Sequence, residues 1–371
     1  MTVHPNRSTT RHLRAALSVA VAVCAVTAAL PAAASAGPTA PEGVAGGRGA
    51  GVERITVAGD GTQADGNSSG ASITPDGRHV VFSSSAKNLT PDAPEPGDLT
   101  YVRDQRTSQT KRIGSLSPLQ PPVISGDGEH VAYPVQWVNN VRIRQYQVST
   151  GATVSANCSA YSCNQPSLST DARHIALVIR KPSASGQRIE VHDWDTGTKQ
   201  TLADFSHTQP SDPSISGDGR HVAYQDGKAQ DVFVWDRTGT TAAGPIEGPS
   251  KAATLVQLSD DGNKVVYLSG SDTYVHDVSA GTAQLVPNAR GVAIDPTGRY
   301  LLYAPHDTTG PSLVLRDLRT GTDEIVAHQP ASARPDAVSA DGRDVVFQST
   351  ADDIVPGDTN GKSDVFVRHF L

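Results

Sequence analysis

An alternating stretch of apolar and polar residues, a tight turn and a second apolar stretch recur along the chain. In "PSISGDGRHVAY", from Pro213, alternation leads up to Asp-Gly, and β-branched and aromatic residues follow it. This pattern predicts two strands joined by a hairpin, because glycine accepts the positive φ that the turn requires. Seven such segments begin 36 to 51 residues apart, at Ala71, Pro122, Pro166, Pro213, Val256, Val292 and Asp336.

A second unit follows most of these hairpins and predicts two further strands. It reads "EVHDWDTGT" from Glu190 and "YVHDVSAGT" from Tyr274, where an apolar strand ends at Asp and a Gly-containing turn follows. Each repeat therefore holds four strands. Seven four-stranded antiparallel units at a period of about 45 residues are typical of a seven-bladed β-propeller, an all-β fold. The third repeat has Ala172 at the glycine position of the turn, so we expect strain there.

The two ends of the repeated region predict how the ring closes. The seventh repeat ends at Leu371 after three strands, and a strand-like segment, "ERITVAG" from Glu53, precedes the first repeat. We expect residues 55–57 to form the outermost strand of the last blade, so that one blade contains both termini of the propeller. The alternative, an open array, would leave edge strands exposed.

The first 36 residues have the pattern of a secretory signal peptide. Arg7, Arg11 and Arg14 precede an apolar run over residues 15–30, and small residues end at Ala36. A membrane anchor is the alternative, but the run is shorter than the ~20 residues that a spanning helix needs. We predict a signal peptide over 1–36, a flexible Gly/Ala/Pro-rich linker over 37–51 and the propeller over 52–371.

The cysteines agree with export. Cleavage after Ala36 removes Cys24 and leaves Cys158 and Cys163, five positions apart. In an oxidising compartment such a pair is expected to form a disulfide. Zinc binding is the alternative, and it lacks a second pair of ligands in the sequence. We expect a secreted, extracellular protein.

Several stretches resemble a known family. "PSISGDGRHVAY", "DVFVWDRTGT" and the terminal "ADDIVPGDTNGKSDVFVRH" look like the WD-repeat-like propellers of the TolB type found in secreted bacterial proteins. The resemblance covers about residues 53–371 and implies a seven-bladed ring. Members of this family are mostly known as binding modules. TolB itself carries a separate amino-terminal domain, for which we find no counterpart here, so its envelope-linking role is not carried over.

Charge and motifs argue against several classes of function. The formal net charge is −7 and the longest basic run is Lys111-Arg112, which disfavours a nucleic-acid partner. The motif "GNSSG" around Ser68 precedes a strand, so it lacks the strand–turn–helix context of a nucleophile elbow. Histidines and turn aspartates that recur at fixed repeat positions are read as structural. They are His79, His130, His174 and His221, and Asp104, Asp193, Asp236, Asp277 and Asp317.

One loop has the composition of a cation site. In "GDTNGKSD", Asp358, Asn360 and Asp364 offer oxygen ligands around Gly361, and Ca²⁺ prefers six to eight such oxygens. The alternative is a polar hairpin loop with Asx turns. We predict no cofactor other than this weak calcium hypothesis.

The sequence favours a non-catalytic propeller that binds an extracellular or cell-wall protein, peptide or glycan, and we expect a monomer with no membrane span after cleavage. Its candidate binding loops span residues 90–98, 158–163, 304–311 and 355–362, and Trp137, Trp194 and Trp235 could stack on sugars. The alternative is a secreted propeller enzyme, a lyase or hydrolase, with its site at the mouth of the central channel. A third possibility is a structural role in the envelope.

Overall fold

The structure is a computed structural model that describes residues 50–92, 97–156, 158, 161–181, 186–203, 209–239 and 241–370. These residues lie in the second of two compact units, residues 48–371. The predicted signal peptide and residues 37–49 of the predicted linker fall outside the described residues. Across the ranges described, no helix is long and apolar enough to cross a membrane.

The described residues form seven separate antiparallel sheets of four strands each, which confirms the predicted seven-bladed propeller. The blades are, from the innermost strand outward, blade 1 with β2 (Ser68–Ile73), β3 (His79–Ser84), β4 (Leu99–Asp104) and β5 (Gln109–Ile113); blade 2 with β6 (Val123–Ile124), β7 (His130–Trp137), β8 (Asn140–Gln147) and β9 (Thr153–Ser155); blade 3 with β10 (Ser162–Leu168), β11 (His174–Arg180), β12 (Gln187–Asp193) and β13 (Lys199–Ala203); blade 4 with β14 (Pro210–Ile215), β15 (His221–Asp226), β16 (Asp231–Asp236) and β17 (Thr241–Ile246); blade 5 with β18 (Thr254–Leu258), β19 (Lys264–Ser269), β20 (Asp272–Asp277) and β21 (Thr282–Val286); blade 6 with β22 (Ala289–Ile294), β23 (Tyr300–Pro305), β24 (Leu313–Asp317) and β25 (Asp323–Ala327); and blade 7 with β26 (Ala331–Ser332), β27 (Asp344–Ser349), β28 (Asp364–His369) and β1 (Gly51–Arg54).

The hairpin turn between the first and second strands is built by its own side chains. In blade 4, Ser216 Oγ donates to Asp218 Oδ1 (2.6 Å), and the same carboxylate oxygen accepts from the Arg220 amide (2.9 Å). Gly219 completes the turn at φ +72°. In blade 3 the equivalent Ala172 has φ +55°, a region that costs an L-residue about 1–2 kcal/mol, so the strain predicted for this turn is confirmed.

The hydrophobic core lies between neighbouring blades. The second strand of each blade is buried almost throughout, as in β3, because both of its faces are covered. Between blades 1 and 2, Val81 and Val102 pack with Val131 and Tyr133. Adjacent blades are thus joined mainly by apolar contacts, and the ring depends on every interface.

An amino-terminal strand closes the ring, as predicted, but four residues earlier than expected. β1 pairs with β28 from Gly51↔His369 to Arg54↔Phe366, and the Ile55 amide adds a bond to the Val365 carbonyl (2.8 Å). Residues 55–57, predicted as the strand, leave it because Ile55 is fully buried and Thr56 Oγ1 donates to Asp364 Oδ1 (2.5 Å).

Candidate functional site

The innermost strands surround an axial channel. Those of blades 1 to 6 contact one another in order round the axis. At the end where these strands begin, which we call the proximal mouth, the channel opens into a pocket of about 340 Å³. Further along the channel lies a smaller cavity, with a volume of about 40 Å³, whose lining includes the apolar side chains of Ile73, Leu168 and Ile215. The polar side chains of the proximal mouth are Gln120, Gln165, Ser167, Asp212, Ser214, Arg334 and Asp336.

Three side chains bridge blades 2, 3 and 4 at this mouth. Gln120 Oε1 accepts a hydrogen bond from the backbone N–H of Gln165 (3.0 Å). The side chain of Gln165 donates in turn, from Nε2 to Asp212 Oδ1 (2.6 Å). The Asp212 amide donates back to Gln165 Oε1 (3.0 Å). Gln165 and Asp212 have φ values of +51° and +52°, and Gly70, at the same repeat position of blade 1, has +68°, so this conformation belongs to a bulge that recurs in the inner strands.

Blade 7 has an enlarged bulge in its inner strand. The inner strand takes six residue steps from Ser332 to Val338, whereas the strand opposite takes only three, from Gln348 to Val345. In blades 1, 3 and 4, three steps face two, an ordinary one-residue bulge. The additional residues bring Arg334 and Asp336 to the mouth. Bulges are common next to active sites because they redirect side chains.

Arg334 and Asp336 each bind a neutral group. Arg334 Nη1 lies 3.5 Å from the Gly70 carbonyl oxygen, and Asp336 Oδ1 accepts from Gln257 Nε2 (2.8 Å). Burial raises the pKa of Asp336, opposed by the charge of Arg334. Burial also lowers the pKa of Arg334, opposed by Asp336. Asp336 is exposed as a whole residue and lines the channel, but protein atoms surround its carboxyl group, which accounts for the raised pKa.

At the opposite end of the channel, which we call the distal mouth, Asp260 lines the wall. Asp260 occupies the position held by Pro75, Thr170 or Pro296 in other blades. Burial raises the pKa of Asp260 to about 7, and the nearby charges of Asp336, Asp261 and Asp295 add to the effect. The proximal mouth therefore carries Arg334 with two carboxylates, Asp212 and Asp336, and the distal mouth carries Asp260, which binds a proton near neutral pH.

The residues of the calcium hypothesis come together, but with a cation of the protein between them. Asn360 Nδ2 donates to Asp364 Oδ2 (2.8 Å). Arg54 lies 3.0 Å from Asp358 and 3.7 Å from Asp364. The guanidinium thus neutralises both carboxylates and ties β1 to the loop before β28. The calcium site stays a prediction, and Ca²⁺ would compete there with Arg54.

The loop over residues 158–163 contains the predicted disulfide. Cys158 and Cys163 are bonded, with their Cα atoms 6.1 Å apart, within the range for such bonds. Tyr161, in the same loop, lies against the Arg188 guanidinium (5.7 Å to the ring centroid).

The recurring histidines and aspartates have structural positions. His174 lies at the start of β11, where a Cβ on Gly219 of the next blade would come within 2.5 Å of its Nδ1. Asp193 accepts from the Asp195 and Thr196 amides (2.9 and 3.0 Å) at the end of β12, which confirms its predicted turn-capping role. Ser68, within β2, is buried and donates to Ser84 Oγ (2.8 Å).

Sequence reasoning missed the residues of the channel. Arg334 and Asp336 flank a proline within a repeat that otherwise matches its neighbours, and Asp260 and Asp212 each replace a small or neutral residue. The signal was a departure from the repeat: at the position of Asp336 the other six repeats have Ala, Pro or Val. A charged residue at an otherwise uncharged repeat position is the pattern that could have identified them.

Comparisons with known proteins agree with the fold. No family model matches the chain, and no curated protein does. Among solved structures, an oligogalacturonate lyase in complex with manganese has a TM-score of 0.64 at 15% identity, covering 87% of this chain and 94% of that one. An oligogalacturonate lyase from Vibrio parahaemolyticus has a TM-score of 0.62 at 12% identity, covering 86% and 93%. TolB from Acinetobacter baumannii has a TM-score of 0.47 at 16% identity, covering 70% and 62%.

These neighbours correct the functional interpretation of the sequence. Two solved propellers that match this chain over 87% and 86% of its length are oligogalacturonate lyases, so the expectation of a non-catalytic binding module is wrong and the alternative, a propeller enzyme, is favoured. At these identities the likeness itself shows the fold alone. Within the described ranges, no three His, Cys, Asp or Glu side chains come together as a metal site.

Proposed function

We propose that the protein is a secreted propeller enzyme that cleaves an acidic oligosaccharide at the proximal mouth, by lyase chemistry. The observation that carries the proposal is the enlarged bulge of blade 7, which directs Arg334 and Asp336 into the mouth. The lyase activity of the two matching propellers supports the reaction class. The disulfide in the loop 158–163 supports export, and we include in the proposal cleavage of a signal peptide after Ala36.

The charges at the mouth fit the substrate and the reaction. A uronate carries a carboxylate, which a guanidinium can bind through two parallel hydrogen bonds. Arg334 is suited to this role because, among the described residues, its side chain has one hydrogen-bond partner, the Gly70 carbonyl oxygen, at the long distance of 3.5 Å. Neutralising the substrate carboxylate acidifies the adjacent C5–H bond, since charge that develops there in the transition state is stabilised.

Asp336 is suited to act as the general base. Its raised pKa brings its basicity closer to that required near neutral pH. It takes the C5 proton; the electrons of the C–H bond form the C4–C5 double bond; and the C4–O bond to the next sugar breaks. The leaving oxygen takes a proton from solvent at the open mouth, so the products are a shortened chain and an unsaturated uronate.

Incubation with an oligogalacturonate mixture tests the proposal. We expect ultraviolet absorbance from the conjugated double bond of the product. Arg334→Gln and Asp336→Asn are each expected to lower kcat/KM by about 100-fold, the usual effect of removing one charge-stabilising or acid–base group. Arg319→Gln, an exposed arginine in a turn of blade 6, is the control and should turn over as the wild type does.

Thermal melting checks that the two variants fold. New reducing ends without the double bond would show a hydrolase and overturn the lyase proposal. Unchanged turnover in both variants, with the double bond still formed, would overturn the assignment of the site to the proximal mouth.

A further inference from the structure

Blade 2 differs from the other blades in the charge of its third strand. In blades 1, 3, 4, 5 and 6 this strand ends at an aspartate that pairs with a basic residue, as Arg173 does with Asp193 (3.0 Å). In blade 2 the register pairs His130 with Gln147, and β8 reads "NVRIRQYQ", with two arginines and no carboxylate. The sequence of this strand therefore adds positive charge to a protein of net charge −7.

Two cations of this blade, Arg142 and Arg144, and Lys111 of blade 1 contact aromatic rings and neutral oxygens. Arg142 lies over the Trp137 ring (5.3 Å to the centroid), and Lys111 lies over the Tyr146 ring (5.6 Å). Arg144 Nη1 donates to Ser155 Oγ (2.9 Å). Lys111 also donates to a backbone carbonyl. Within the described ranges, none of these three cations forms an ion pair, so their charges remain available to a ligand.

Arg142, Arg144 and Tyr146 lie along the face of blade 2 that turns toward blade 1, where Tyr146 is buried and the two arginines are half-buried. Pairing of Val131↔Tyr146 and Val135↔Arg142 puts Arg142, Arg144 and Tyr146 at alternate positions of β8, hence on the same side, about 13 Å end to end. In blades 1, 4, 5 and 7 the third-strand position equivalent to Arg144 holds an aromatic residue. That ring stacks on the aromatic residue opposite it in the second strand, as Tyr101 does on Phe82 in blade 1. We call Lys111, Trp137, Arg142, Arg144 and Tyr146 the blade-2 strip.

The strip has two neighbouring features that suit an extended ligand. The hairpin β7–β8 is two residue pairs longer than that of blade 1, and its tip exposes Trp137 (42%) and Val138 (82%) on the side of the proximal mouth. Lys111, from β5 of blade 1, lies across a groove of about 610 Å³ from Tyr146. Lys111 and Tyr146 line this groove together with Asp92 and Arg112, which form an ion pair (2.6 Å).

We propose that the blade-2 strip is a second binding surface, separate from the mouth, that holds an acidic polysaccharide chain. Guanidinium groups bind carboxylates, and an exposed indole stacks on the apolar face of a sugar ring. In a protein of net negative charge, a local cationic surface lowers the repulsion that a polyanion meets. The proposal rests on the proposed function for the choice of uronate polymer.

Affinity electrophoresis of the full-length chain through gels containing polygalacturonate tests the strip. We expect retardation in the wild type and about tenfold weaker binding in Arg142→Gln/Arg144→Gln and in Trp137→Ala, since each removes a charge-assisted or ring contact. The matched control is Lys228→Gln/Arg319→Gln, which removes two exposed cations from blades 4 and 6. It should migrate as the wild type does.

The same variants separate this inference from the proposed function. Turnover of a short oligogalacturonate should be unchanged in Arg142→Gln/Arg144→Gln, because the strip lies outside the mouth. Loss of retardation in this variant supports the strip even if no lyase product forms. Retardation that is equal in wild type and variant, equal loss in the control pair, or equal retardation by amylose or single-stranded DNA would overturn it.

Discussion

Ala172 is the only non-glycine residue at the left-handed position of the seven hairpin turns, all of which are described. We expect Ala172→Gly to change the free energy of unfolding by less than about 1 kcal/mol. Relief of backbone strain, about 1–2 kcal/mol, is offset by the loss of a buried methyl group, about 0.8 kcal/mol, and by the greater freedom of glycine in the unfolded chain. Urea denaturation measures the difference.

The matched reverse substitution is Gly219→Ala in the next blade. Its Cβ would lie 2.5 Å from His174 Nδ1, so a clash adds to the backbone strain. We expect a loss of about 2 kcal/mol or more. Equal effects of the two substitutions would contradict the view that blade 3 has adapted to its alanine.

At the scale of single elements, the interfaces between blades contain half-buried histidines. Burial lowers the pKa of His79, helped by the charge of Arg78, and burial likewise lowers the pKa of His174, helped by Arg237. The unfolded chain therefore binds protons first as the pH falls below about 6.5. The stability contributed by the neutral rings is complete above that pH and is lost as the pH falls toward their lowered pKa values.

We expect His79→Gln/His174→Gln to flatten the dependence of unfolding free energy on pH between about 6.5 and 5. The difference between wild type and variant isolates the histidines, because Asp260, with its pKa raised to about 7, acts with the opposite sign in both proteins. His306→Gln, in an exposed loop, serves as the control. If the slope of unfolding free energy against pH is the same in the double variant as in the wild type, the two histidines do not contribute to the pH dependence.

The repeat made the blades predictable and the channel unpredictable. Alternation, Asp-Gly turns and spacing depend on local physics that each repeat restates, so seven four-stranded sheets followed from the sequence alone. The convergence of Arg334, Asp212 and Gln165 depends on closing the ring, which brings together residues far apart in the chain. The size of the blade 7 bulge could not be read either, because "ASARPDAV" specifies no strand register.

The position of the closing strand shows the same limit. The sequence predicted that a segment near Glu53 would complete blade 7, but it placed the strand at residues 55–57 by its β-branched residues. The observed strand is Gly51–Arg54, which has poorer strand propensity. Tertiary contacts outweigh strand propensity here, since Ile55 is buried in the core and Thr56 donates a hydrogen bond to Asp364.

At the scale of the whole molecule, the ring is held shut by pairing between residues about 300 positions apart. β1 pairs with β28, and Arg54, at the end of β1, contacts both Asp358 and Asp364. A chain that begins at residue 58 would lose these contacts, leave β28 as an unpaired edge and empty the site of Ile55. We expect its melting temperature to fall by about 10 °C or more relative to a chain beginning at residue 37, with self-association through the exposed edge.

Adding the missing strand in trans distinguishes loss of pairing from general damage. A peptide of residues 48–57 should restore the melting temperature and the monomeric elution of the shortened chain, because a free sheet edge accepts an added strand. The same peptide with Ile55→Asp should fail, since a carboxylate cannot enter the apolar site that Ile55 fills completely. If the shortened chain melts as the longer one does, or if both peptides act alike, then β1 does not lock the ring, and the blades hold together through their lateral interfaces alone.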